Sequence, residues 1–575
     1  MIFYFMRKSY LLISLLLFFS LNSLAQFTRY IVRFKDKIGT PFSINDPSQF
    51  LSARAIARRV RQHIAIDETD LPVTPRYIDS VRLSGNVQIL DESKWLNQVC
   101  IATTDSAALE KINSFPFVIT TQPLKRIANT QKIPGNESEE RTSRNKFTEP
   151  INNIKNVESP EGITENHYSY GDSYAQIHIH NGEYLHNKGF HGEGMLIAIL
   201  DAGFYHYLSL PAFDSVNINH QVLDTYNFVD DDSSVNEDYF HGMMVFSIIA
   251  GNIPGQLVGS CPNAHFLLYV SEDVTSESPV EEQYWAAAAE RADSAGADVI
   301  TTSLGYDLFD NPVFDYTYAD MNGKTTLIAK EATMAARKGI IVLAAAGNEG
   351  DNSWHFITTP ADADSIISVG AVNDSGIVAP FSSYGPSSDG RVEPVAASVG
   401  EGTFVSSTTG PITSGNGTSF STPNLAGLVT CLWQAFPDLT NMQIINEVEK
   451  SSSIYNDPNN RIGYGIPDFE KAYDDLNQQR ILQNADSILG NQSIKIYPNP
   501  FTDNFTVLIK PEHTSTGTFR LYNAVGQLFF SRQISLQEGI TQVINFNEMQ
   551  PLQKGMYILR YSDGISKQSF KLEEQ

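Results

Sequence analysis

The sequence predicts an α/β protein: a parallel sheet covered by helices on both faces, preceded by an α+β region and followed by a small all-β sandwich. Three observations predict this. Between residues 166 and 476, the apolar strand runs Met195–Leu200, Phe266–Val270, Val299–Thr302 and Ile340–Ala345 alternate with helical patterns. Such alternation builds a doubly covered parallel sheet. Residues 27–126 open on Tyr30-Ile31-Val32-Arg33-Phe34, an alternating strand pattern, and then cluster Arg54, Arg58, Arg59 and Arg61 on one helix. In 493–575, Phe505, Val507 and Ile509 alternate with Thr506, Leu508 and Lys510, and Tyr557, Leu559 and Tyr561 repeat the pattern.

The chain has 575 residues, which at about 150 per domain suggests three or four folded units. Apolar residues make up 42% and charged residues 18%, excluding a wholly disordered chain. A formal net charge of −25 would be repelled by phosphate backbones, so no nucleic-acid partner is expected. Three cysteines rule out a disulfide-stapled scaffold.

Taken in order, residues 1–25 read as a secretory signal. Arg7 and Lys8 precede the apolar run Leu11–Phe19, and Ser23-Leu24-Ala25 supplies a small-residue cleavage site. An N-terminal membrane anchor is the alternative, and the cleavage site speaks against it. Residues 27–126 form the first folded unit. Residues 127–165 are polar and read as an exposed linker. Residues 166–476 carry the sheet, a polar stretch follows near 477–492, and 493–575 form the tail.

Four segments of the central unit have catalytic character. Asp201 ends a buried strand in Ile199-Leu200-Asp201-Ala202-Gly203, where parallel sheets place their sites. His241 opens an apolar helix in His241-Gly242-Met243-Met244-Val245. Ser419 starts another in Gly417-Thr418-Ser419-Phe420-Ser421-Thr422-Pro423. A serine hydroxyl needs a base to take its proton, and a carboxylate fixes the imidazole tautomer and stabilises the imidazolium. Asn348, in Ala346-Gly347-Asn348-Glu349-Gly350, could donate to a developing oxyanion, and the Ser419 backbone N–H at a helix start would be the second donor.

These blocks, in this order, resemble the subtilisin (subtilase) family of serine peptidases, whose triad runs Asp, His, Ser. The resemblance covers 166–476. It implies a subtilisin-like sheet and a serine endopeptidase. Asp201, His241 and Ser419 would be catalytic, Asn348 would hold the oxyanion, and Ser303, Leu304 and Gly305 would bind the substrate backbone as an added strand. Two positions depart from the family pattern: Met243 and Met244 replace a Thr and a second His, and Ala202 replaces a common hydroxyl residue.

The flanks fit the same resemblance. Residues 27–126 are similar in placement to a pro-domain that assists folding and inhibits until cut off, with the cleavage site in 127–165. Tyr497-Pro498-Asn499-Pro500, Leu521-Tyr522-Asn523-Ala524-Val525-Gly526-Gln527 and Gly555-Met556-Tyr557-Ile558-Leu559 resemble the C-terminal sorting domains of Bacteroidetes-type type IX secretion. A monomer is expected, secreted or on the cell surface, with proteins or peptides as substrates and the type IX secretion machinery as partner.

Rival readings fare worse. An α/β-hydrolase esterase needs Gly-x-Ser-x-Gly and the order Ser, acid, His, yet Ser421 fills the second Gly position and the only later histidine is His513. A non-catalytic binding protein on a subtilase scaffold rests on Met243 and Met244 alone. His178, His180, His186, His191 and His206 lack the His-Glu-x-x-His spacing, so no metal is assigned and no cofactor is required. Asp230-Asp231-Asp232 leaves calcium open as a structural ion. Pairing of Cys261 with Cys431 is not readable from sequence.

Overall fold

A computed structural model describes residues 27–126, 166–236, 239–502, 504–547 and 552–574. The expected signal peptide 1–25 and linker 127–165 lie outside the described residues. The chain divides into two compact units, one ending at Ala472 and one running from Tyr473 to Gln575.

The N-terminal region is a four-stranded antiparallel sheet of β1 (Phe27–Phe34), β2 (Gln88–Ser93), β3 (Gln98–Ala102) and β4 (Val118–Arg126), in the order β2-β3-β1-β4. Period-two alternation gives each face of β1 its own partner. Tyr30, Val32 and Phe34 pack on Tyr77, Val81 and Ile112 from the sheet's own helices, Pro75–Arg82 and Ser106–Asn113. Ile31 faces the other way with Cys100 and Leu124, onto Val280 and Tyr284 of the helix Val280–Ala295. The arginine-bearing segment is the helix Ala53–Arg61. Arg58 and Arg59 are fully buried on Asp293 of that same Val280–Ala295 helix, Arg59 at 2.9 Å.

The second sheet has seven parallel strands. They are β5 (Leu196–Asp201), β6 (Val222–Asn227), β9 (His265–Val270), β10 (Val299–Thr302), β11 (Ile341–Ala345), β12 (Ile367–Val372) and β13 (Ala396–Val399), with the two-residue pair β7 (Asn252–Ile253) and β8 (Leu257–Val258) apart from them. Their order is β13-β12-β11-β10-β5-β9-β6. Successive connections therefore diverge at β5, and crevices in open α/β sheets form at the carboxyl ends of strands where order reverses. All six β5 residues are buried, as expected for a strand covered on both faces. Leu196, Ala198 and Leu200 meet Trp285, Ala288 and Ile328 from the helices Val280–Ala295 and Leu327–Arg337. By the pleat, Asp201 shares the opposite face with Ile197 and Ile199. The strand pair β14 (Glu401–Ser406) and β15 (Ile412–Asn416) leads into the helix Thr418–Ala435, which packs against β10 to β13.

The second unit contains β16 (Ile494–Thr502), β17 (Asn504–Ile509), β18 (Ser515–Asn523), β19 (Leu528–Leu536), β20 (Gln542–Phe546), β21 (Gly555–Ser562) and β22 (Lys567–Glu574). They form one ladder, antiparallel apart from β16 with β22, over a core that includes Phe505, Phe519, Phe546, Tyr557 and Leu572. One expectation changes. The polar stretch 477–492 is mostly helix, within Phe469–Leu489. Ile481, Ala485 and Leu489 recur at helical spacing and cover Leu508 on the outer face of β17.

Candidate active site

Three strand ends converge on the site. Asp201 closes β5, Ser303 follows β10, and Asn348 lies three residues beyond β11. Two helices bring the rest: His241 begins the helix His241–Ala250, and Ser419 sits in the first turn of Thr418–Ala435.

Asp201 Oδ1 accepts a hydrogen bond from His241 Nδ1 at 2.7 Å and another from the Ala202 backbone N–H at 2.7 Å. A carboxylate only accepts, so Nδ1 carries the proton and Nε2 is left as the basic nitrogen. Both groups are buried. Gly242 makes this approach feasible, since a Cβ there would lie 2.5 Å from the Gly203 carbonyl oxygen and 2.9 Å from Asp201 Cβ. Met243 and Met244 are fully buried apolar packing behind the base. Asp201 Oδ2 is buried with no partner among the described residues.

The serine helix is anchored through its first turn. Pro423 lies inside it and lacks the N–H that would bond the Ser419 carbonyl. The Ser303 hydroxyl donates to that carbonyl instead, at 2.8 Å. In return, Ser419 Oγ donates to the Ser303 carbonyl at 3.2 Å. The Ser419 N–H belongs to the first helical turn, where backbone donors have no intrahelical acceptor. Asn348 Oδ1 accepts from Thr418 N–H at 2.8 Å and Thr418 Oγ at 3.0 Å. Because a backbone N–H can only donate, this pairing fixes which amide atom is oxygen and leaves Nδ2 as the outward donor.

The structure joins the sequence-predicted residues in separate groups, Asp201 with His241, Ser303 with Ser419, and Asn348 with Thr418, and the Ser419 hydroxyl bonds the Ser303 carbonyl rather than His241. The Leu304 side chain joins the sheet core, so only its main chain can face a substrate. Sequence reasoning missed Thr418 as the brace of Asn348 and the Ser303 hydroxyl as the donor that replaces Pro423; the proline inside an apolar helix was the available signal.

The remaining candidates are structural. His180 is bonded to the Pro467 carbonyl and Ser398 Oγ, and burial lowers it to about 4. His178 pairs with Glu183. Asp230, Asp231 and Asp232 accept from Asn227, Tyr226 and the Ser234 N–H respectively. Each of these carboxylates thus accepts a hydrogen bond from its own turn. No group of three or more His, Cys, Asp or Glu among the described residues is placed to hold a metal.

A model described as the subtilase family matches residues 192–465. Subtilisin DY of Bacillus licheniformis is 30% identical over 271 residues, covering 46% of this chain and 86% of that protein. The chain belongs to the subtilase family. As a subtilase it is a hydrolase of the serine peptidase type. Subtilisin E of Bacillus subtilis (strain 168) is 29% identical over 311 residues, covering 53% of this chain and 73% of that protein. A peptidase S8 propeptide model of the Bacteroidota matches 29–142, and a secretion-system C-terminal sorting model matches 495–572. This subtilase is therefore made with a propeptide and carries the type IX address for export across the outer membrane. Among solved structures, MycP1 from Mycobacterium smegmatis is 22% identical, covering 55% of this chain and 86% of that one, with a TM-score of 0.42.

Proposed function

We propose that the protein is an exported zymogen of a serine endopeptidase acting through Asp201, His241 and Ser419. The hydrogen bond from His241 Nδ1 to Asp201, together with Ser419 in the first turn of a helix, carries this reading. Ser419 Oγ attacks the peptide carbonyl carbon while His241 Nε2 takes its proton, and Asp201 stabilises the imidazolium. Asn348 Nδ2 and the Ser419 N–H donate to the oxyanion. His241 then protonates the leaving amine, and a water activated by His241 hydrolyses the acyl-enzyme. Ser303, Leu304 and Gly305 offer main chain to the substrate as a neighbouring strand. The triad needs no cofactor, and the mature enzyme acts as a monomer on protein substrates.

Ser419→Ala tests this directly. The variant should lose fluorophosphonate labelling and casein hydrolysis and should remain an uncut precursor in 127–165. In subtilisin, loss of the serine or histidine costs about 10⁶ in kcat. Hydrolysis of casein by Ser419→Ala at a comparable rate would reject the assignment.

A further inference from the structure

Two fully buried cysteines, 170 positions apart in the chain, meet with their sulfurs 3.5 Å apart. Cys431 lies on the helix Thr418–Ala435 that begins with the Ser419 turn. Cys261 follows Ser260, and the two backbone N–H groups donate to Ile249 and Ile248 at the end of the His241–Ala250 helix, each at 2.9 Å. The two segments are also in close contact beside the sulfurs, since a Cβ on Gly427 would fall 2.0 Å from Ser260 Oγ.

Histidines surround the pair, but they are not free to share a metal with it. His186 Nδ1 pairs with Tyr170 Oη at 2.6 Å and its Nε2 with the Ser260 carbonyl at 3.1 Å. His191 Nδ1 pairs with Glu193 at 3.2 Å and its Nε2 with the His186 carbonyl at 2.9 Å. With all four ring nitrogens engaged, a Cys-His zinc cage has no nitrogen ligand to draw on. The sorting domain supplies an independent observation, because an exported chain passes through a compartment where thiols are oxidised.

We propose that Cys261 and Cys431 form a disulfide in the exported enzyme, tying the serine helix to the end of the histidine helix. The oxidant is a protein disulfide of the cell envelope, met before the core closes. One cysteine thiolate attacks that disulfide and displaces one of its sulfurs; the second then attacks the mixed disulfide and releases the oxidant as a dithiol. Two thiols lose two protons and two electrons, and the oxidant gains them. The sulfurs need to approach by about 1.5 Å to reach bonding distance. Cys100 packs between Ile31 and Tyr284 in the propeptide region, so it stays a thiol and leaves with that region. The bond closes a long loop, which restricts the unfolded chain strongly, and it protects an enzyme that must persist among its own kind.

The test uses full-length Ser419→Ala zymogen recovered after export, so that neither activity nor self-cleavage enters the readout. Denaturation with iodoacetamide should label one thiol, Cys100, before reduction and three after it, and an unreduced digest should contain a peptide joining Cys261 to Cys431. Reductant should lower the unfolding temperature by about 10 °C. A Cys261→Ala/Cys431→Ala double variant should unfold low and ignore reductant. Three labels without reduction, or one zinc per chain in the native protein, would overturn the proposal. So would a double variant as stable as the parent with no response to reductant in either.

Discussion

Asn348 and Thr418 are joined twice through one oxygen: the Thr418 backbone N–H and hydroxyl both donate to Asn348 Oδ1, at 2.8 and 3.0 Å. The proposed oxyanion donor is thereby held by the residue that precedes the proposed nucleophile, and movement of one moves the other. Asn348→Ala should lower kcat by about 10² to 10³ with KM nearly unchanged, because its bond strengthens in the transition state. Thr418→Val keeps the backbone bond and loses the hydroxyl, so a fall of about fivefold to tenfold in kcat is expected. Steady-state kinetics on a chromogenic peptide would check both. A large rise in KM at constant kcat would make Asn348 a substrate-positioning residue instead.

The propeptide should release more readily as pH rises. Ser93 Oγ lies 2.7 Å from Glu290 and 3.0 Å from Glu331, all three buried. One hydroxyl has one proton, so it cannot donate to two carboxylates. Glu290 also accepts the Lys94 and Trp95 backbone N–H groups, which favours a protonated Glu331 that donates to Ser93, which donates to Glu290. Burial, with Glu290 beside it, pushes Glu331 well above the usual carboxylate range. A group raised in the complex stabilises it fully below its free value and loses that contribution as pH climbs through the raised one. Inhibition of the mature enzyme by added propeptide should therefore weaken as pH rises above the ordinary carboxylate range, by about tenfold for each pH unit by which the complex raises Glu331. Glu331→Gln retains a donor without titrating, and should flatten that profile. Lys37, lowered by burial to about 8, titrates in both proteins, so their difference reports the Glu290–Glu331 pair. Identical profiles would refute the hydrogen-bond chain.

Thr358 should limit the side chain accepted before the scissile bond. Its hydroxyl is buried with no partner among the described residues. A Cβ on Gly305 would meet that oxygen at 2.2 Å, and one on Gly347 at 2.9 Å. The threonine thus fills the space between the two segments proposed to hold substrate and oxyanion. Thr358→Gly should raise kcat/KM for a large apolar residue there about tenfold relative to alanine, the scale of a few methylenes in a pocket. Fragment mass spectrometry of a digested protein would read the preference, and an unchanged residue profile would place Thr358 outside the cleft.

The tail should separate from catalysis at Ala472. Since the second compact unit starts at Tyr473, a cut near 480 would strand half of the helix Phe469–Leu489 without Ile481, Ala485 and Leu489, whose partner is Leu508. A chain ending at Ala472 should keep its peptidase activity when refolded with its propeptide, and should accumulate in the periplasm of a host with the matching machinery. Normal appearance in the medium would refute the sorting role.

The sequence disclosed the site better than its supports. Asp201, His241 and Ser419 stand in short motifs whose chemistry is local, and the buried run before Asp201 placed it at a strand end. The brace from Thr418 and the Ser303 hydroxyl standing in for Pro423 depend on residues 70 and 116 positions away, a relation no local pattern encodes. The helix Phe469–Leu489 escaped notice because its apolar positions are interrupted by Gln, Asn and Asp. The arginines of 54–61 were legible as a charge cluster, and their partners were not. Asp293 lies more than 230 residues downstream of them.

Those arginines give the proposed maturation an electrostatic consequence. Arg58 and Arg59 reach Asp293 with almost no exposure on either side, and stripping one member from such a buried pair costs about 3 to 5 kcal/mol unless water replaces it. Once the propeptide is digested, hydration takes over at Asp293, and the counter-charges that accompanied folding no longer exist anywhere in the molecule. In that reading the mature enzyme carries at Asp293 a negative charge that the precursor kept paired and buried.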